Sequence, residues 1–196
     1  MDQLKRRLML ALATALVLSV AVADEKGEKK AAKAVEKRQE IDKVAQATLD
    51  ELFEKSEKAK KLYDQAHGYA VFSNYKFQFF ISGGGGSGVA VGRNPASRTY
   101  MKMGTGGVGL GIGGKKYSLV LLFEDKRSFD GFVDKGWQAD TQASAAAGSA
   151  AAEVASTFKN GVAYYQITEK GLIASADVSG TKFWKDSDLN KARRKS

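Results

Sequence analysis

Cysteine is absent from this sequence, and proline and histidine each occur once. The first absence removes disulfides, thiolate nucleophiles and cysteine-based metal centres, and with them a lipid-modified N-terminal cysteine. A Ser-His-Asp triad would rest entirely on His67, and no nucleophile-elbow sequence supports one. Next to Gly68, at an expected helix end, the ordinary role of that histidine is a cap or a packed turn. A calcium loop is suggested only by "DSDLN", with Asp186, Asp188 and Asn190. Its sixth position is Lys191 where the motif needs glycine, so the stretch reads as a turn. Carboxylate pairs of the glycosidase kind are defined by spacing in space, and nothing here points to them. No catalytic residue, metal or cofactor is therefore expected, and a hydrolase with an unrecognised site is the least favoured reading.

Long apolar runs are equally scarce. The single one, Leu8 to Val20, follows Lys5, Arg6 and Arg7 and precedes the small-x-small pattern Ala21-Val22-Ala23. At ~1.5 Å per residue it reaches ~20 Å, short of a ~30 Å hydrocarbon core, so it reads as a signal peptide over residues 1–23. Export to the periplasm or the extracellular space is expected, with the protein peripheral to a membrane. Losing Asp2 and the three basic residues lowers the formal charge from +9 to about +7. A basic exported chain suits an anionic partner: a membrane surface, another envelope component or, less well, nucleic acid.

What the chain does contain falls into two parts. Residues 27–66 are charged and alanine-rich. Ile41, Ala45, Thr48, Leu49, Leu52, Phe53, Ser56, Ala59, Tyr63 and Ala66 recur at steps of three and four, the stripe of an amphipathic helix. One long helix is expected, with a break possible near residues 37–40 and a left-handed cap at Gly68. After Gly68 short β-prone runs follow one another: Tyr69–Phe72, Phe77–Ser82, Gly88–Val91, Thr99–Met103, Gly107–Gly113, Ser118–Glu124, Val162–Thr168 and Leu172–Val178. One helical connector interrupts them near Lys126–Lys135. The expected class is α+β, an antiparallel β-rich sheet or partly closed barrel with a long N-terminal helix packed on it. The expected divisions are a signal peptide (1–23), a helical arm (24–52), the main domain (53–190) and a basic tail (191–196).

The segment "GTGGVGLGIGGKK" fits G-x-G-x-x-G and approaches a phosphate-binding loop. A strand, not a helix, follows it, and Lys116 stands where a magnesium-holding Ser or Thr would be. The alternation instead puts Val108, Leu110 and Ile112 on one face and Gly107, Gly109, Gly111 and Gly113 on the other. This is a glycine strand whose bare face admits a close neighbour, with the small-residue stretch 143–156 as the expected occupant.

"HGYAVFSNYKF", "SGGGGSGVAV", "GVGLGIGGKKYSLVLLF", "AAGSAAAE" and "ITEKGLIASADVSGTKFW" occur in this order over roughly residues 53–190. In that order they resemble the SYLF family, the Ysc-eighty-four-like lipid-binding domain, in its bacterial exported form. The resemblance implies a non-enzymatic β-rich domain that binds phosphoinositides and other anionic lipids. Yeast and animal members also bind actin. The part that carries over to an exported protein is affinity for anionic head groups. Ser73 stands where many relatives have proline. The candidate lipid-binding residues are Lys102, Lys115 and Lys116 around the glycine segment, and Lys182, Trp184, Lys185, Lys191, Arg193 and Arg194 near the C-terminus. The alternative is that the same basic surface recognises an envelope protein.

Overall fold

The computed structural model describes residues 2–73, 85–93, 95–105, 117–138, 157–168, 171–174 and 181–191, with the backbone alone for residues 2–26, 105, 137, 138, 173 and 174. Two helices open the chain, α1 (Asp2–Lys55) and α2 (Glu57–Gln65). Four strands follow: β1 (Gly68–Ser73), β2 (Gly85–Gly92), β3 (Ser97–Thr105) and β4 (Tyr117–Phe123). Helix α3 (Lys126–Lys135) leads to the two-residue strand β5 (Trp137–Gln138). Strands β6 (Val162–Thr168), β7 (Gly171–Ala174) and β8 (Thr181–Lys185) and the short helix α4 (Ser187–Lys191) complete the described chain.

The strands form one antiparallel sheet in the order β5-β8-β3-β2-β1-β4-β6-β7. It is open, with β5 and β7 at its edges, which decides between the sheet and the barrel expected from sequence. Strand alternation divides its side chains between two apolar layers. Ala70, Phe72, Met101, Leu121 and Phe183 face α3, whose Phe129, Phe132 and Val133 close that side. Val71, Val89, Tyr100, Val120, Leu122 and Tyr165 face the other way, under Ile41, Ala45, Leu49 and Leu52 of α1 and Ala59 and Leu62 of α2. The sheet is thus a shared wall between two cores.

The helical stripe is confirmed in its burial and corrected in its continuity. Ile41, Ala45, Thr48, Leu49, Leu52, Ala59 and Ala66 are buried as expected. The helix does not run through to residue 66, however. Ser56 adopts an extended conformation, and its hydroxyl accepts from the Ala59 amide 3.2 Å away, capping a second helix. No break occurs near residues 37–40. The left-handed cap at Gly68 is also corrected: Ala66 ends α2 with φ −65° and ψ 140°, and Gly68 is the first residue of β1. Glycine is needed there because a Cβ would lie 2.7 Å from the Phe129 ring and 2.8 Å from the Val91 carbonyl. The expected strands Phe77–Ser82 and Gly107–Gly113, the four structural glycines and the stretch 143–156 lie outside the described residues.

Candidate functional site

Helix α4 is where the C-terminal basic region meets the rest of the fold. Asp186, only 2% exposed, organises it. Its Oδ1 accepts from the amides of Asp188 (3.0 Å) and Leu189 (3.1 Å), and its Oδ2 lies 3.3 Å from the Lys102 ammonium. Asn190 extends the edge of β3. Its Oδ1 accepts from the Tyr100 amide at 3.0 Å, and its Nδ2 donates to the Tyr100 carbonyl at 2.7 Å. The side-chain amide thus takes the role of a strand neighbour just past the point where β8 stops pairing. "DSDLN" is a capped turn of helix clasped to β3, and no acidic or histidine cluster suited to a metal occurs among the described residues.

Helix α1 is fastened to this corner. Lys30 pairs with Asp188 at 3.4 Å, and Arg38 donates to the Leu189 carbonyl at 3.3 Å. One turn further, Asp42 accepts from the Tyr100 hydroxyl at 2.9 Å and pairs with Arg98 at 2.5 Å. Burial, then the hydrogen bond to Asp42, pushes the Tyr100 phenol above its ordinary range, so it stays a neutral donor. These contacts bring the basic segment of α1, with Lys30, Lys33 and Arg38, alongside α4 and Lys191. The sequence reading did not include α1 in the site, because amphipathic spacing says which face is buried and not which element lies beside the exposed one.

Strand register separates the expected cations. Lys102 stands opposite Trp184, and Gly104 opposite Lys182. A Cβ on Gly104 would lie 3.0 Å from the Trp184 ring, so the indole lies over bare backbone on the α1 side of the sheet. Lys182 shares that side. Lys185 points to the α3 side, where its ammonium donates to Asp134 at 2.9 Å and holds that carboxyl below its usual range. Lys102 and Lys185 are therefore charge-compensated, whereas Lys182 and Lys191 make no ion pair with another described residue. Trp184, 39% exposed, is one of two large apolar side chains exposed among the described residues; the other is Val35 of α1. Lys115, Lys116, Arg193 and Arg194 lie outside the described residues.

His67 holds the turn into β1. Its amide donates to the Phe123 carbonyl at 2.8 Å, its carbonyl accepts from Arg93, and its ring rests 5.9 Å from that of Phe129. This is the packed-turn role expected from the sequence.

An open antiparallel sheet with helices on both faces, bearing a basic corner around an exposed tryptophan, defines an α+β protein built around a surface site. Residues 104–193 match the family described as Ysc84, Las17-binding protein actin regulator. The match agrees with the resemblance to the SYLF family seen in the motif order, three of whose five motifs lie within that stretch. It is also 45% identical over 161 residues to Beta cell expansion factor A of Aeromonas veronii. The match covers 82% of this chain and 62% of that protein, so the chain spans about three fifths of its relative's length.

Proposed function

We propose that this protein is a non-enzymatic binder of anionic surfaces, exported and peripheral to a membrane, and that its ligand is the anionic lipid head group. The observation that carries the reading is Trp184: an exposed indole beside the uncompensated Lys182, on the side of the sheet that α1 and α4 line with further cations. An aromatic ring among cations suits the boundary between water and lipid. Each lysine held near an anionic surface contributes ~1 kcal/mol, so four or five acting together give attachment in the range of roughly 0.2–1 mM, which the indole strengthens. Lys182 and Lys191 form the described part of this surface, and Lys30 and Lys102 join it when their pairings with Asp188 and Asp186 loosen.

The family description favours a second reading, in which the same corner docks a protein, because it names binding to Las17. Flotation with vesicles separates the two. Binding to vesicles carrying an anionic lipid, absent with neutral vesicles and lost at high salt, supports the lipid reading. Equal recovery with neutral and anionic vesicles contradicts it.

A further inference from the structure

On the opposite side of the sheet from the basic corner, a cavity of about 460 Å³ opens between α3 and the start of β6. Its size falls within the ~300–1,000 Å³ range of small-molecule sites. Its apolar lining is aromatic and aliphatic, from Phe132, Val162 and Tyr164, with the fully buried Phe123 behind them. Arg127 of α3 and Lys159 of the turn before β6 stand among its lining residues. Neither makes an ion pair with another described residue. Glu124 and Asp125 also line it; the Asp125 carboxylate is engaged, accepting from the Ser128 amide at 2.7 Å as the cap of α3, and Glu124 is exposed at the cavity's rim. The Lys159–Val162 turn is rigid, with reciprocal backbone bonds of 3.0 and 3.1 Å and positive φ at Asn160 (52°) and Gly161 (79°). Lys159 is therefore presented from a fixed support.

Gly131 supplies a second, independent observation. It lies inside α3, four residues after Arg127 and so on the same helical face, and it lines the cavity. A Cβ at this position would meet no atom within 4 Å. Nothing in the packing requires glycine, and glycine in a helix interior costs about 1 kcal/mol relative to alanine. A larger side chain at this position would extend into the open space that Gly131 lines.

We propose that this cavity is a binding site for a single small amphiphile, its alkyl or aromatic body resting on Phe132, Val162 and Tyr164 and its one anionic group held by Arg127 and Lys159. The site is separate from the lipid-facing corner, since α3 and α1 lie on opposite faces of the sheet. Tyr164, whose phenol is pushed up by burial, stays uncharged and adds no repulsion to an anion.

The test uses the full chain and two probes, decanoate as the anionic amphiphile and decanol as its neutral counterpart, followed by NMR titration. Decanoate is expected to perturb signals from α3 and β6 saturably, and decanol to bind about tenfold or more weakly. Arg127→Ala with Lys159→Ala should remove that preference. Gly131→Leu should fill the space, abolish decanoate binding and leave the melting temperature equal or higher, and Gly131→Ala serves as a milder variant if leucine disturbs folding. Vesicle flotation should be unchanged in all of these variants, which keeps this site distinguishable from the surface reading. Absence of saturable decanoate binding, or binding unaffected by Gly131→Leu in a folded protein, overturns the proposal.

Discussion

Replacing Asp186 by alanine perturbs the corner at its most connected point. The carboxylate caps α4 through two amides and pairs with Lys102, at 2% exposure. Loss of an N-cap costs about 1 kcal/mol. The Lys102 side chain is 38% exposed and can recover water, so its pairing contributes only about 1 kcal/mol more. For a chain of this length the total of about 2 kcal/mol corresponds to a fall of roughly 4–8 °C in melting temperature. Asp186→Asn retains a side-chain oxygen for the cap and loses the ion pair, so about half that fall is expected. The asparagine variant also frees the Lys102 charge on the α1 side of the sheet. At a temperature where both proteins are folded, it should bind anionic vesicles more tightly than wild type, by up to about fivefold. Thermal denaturation followed by circular dichroism measures the first effect and flotation the second. If Asp186→Ala melts with the wild type, or Asp186→Asn weakens vesicle binding, the clasp has been misread.

Three further outcomes follow from the geometry. Leu49→Ala removes a buried side chain between α1 and the sheet, and chemical denaturation should show a loss of about 2–5 kcal/mol. Gly88→Val should destabilise more than a surface change, because a Cβ there would sit 2.2 Å from the Val71 carbonyl and 2.5 Å from the Phe72 ring; unchanged melting would show that β1 and β2 are less tightly apposed. Asp125 has its carboxyl held below the usual range, chiefly by the Ser128 amide, so the stability it contributes is present above its unfolded value and is lost as pH falls through the depressed one. Asp125→Ala should accordingly lower the melting temperature at pH 7 and approach the wild type as pH falls below the depressed value.

Local chemistry was readable where local rules decide. Helix α3 and strand β6 begin and end at the residues that spacing picked out, Lys126–Lys135 and Val162–Thr168. The apolar stripe of α1 also buries as its period requires. Ser56 misled because a serine on the buried stripe satisfies helix periodicity and is also a good cap; only the packing of Phe53 against Tyr63, with rings 4.9 Å apart across the break, favours two helices. The Asn160-Gly161 turn carries a strong hairpin signal that the sequence reading passed over. The site was legible only in part. Lys182, Trp184 and Lys185 are neighbours in sequence, but the pleat sends Lys185 to the other face, and β8 pairs with a strand some eighty residues earlier. The compensation of Lys102 by Asp186 and the approach of Lys30 and Arg38 to α4 are products of that long-range pairing. No periodicity encodes them.

Charge on the α1 side of the sheet, gathered around Trp184, is proposed to attach this protein to anionic surfaces. Flotation of Lys182→Glu combined with Lys191→Glu, compared with the wild type at low salt on vesicles containing an anionic lipid, tests it most directly. The charge-reversed protein, with an unchanged melting temperature, should stay at the bottom of the gradient while the wild type floats. Equal flotation of the two would contradict it.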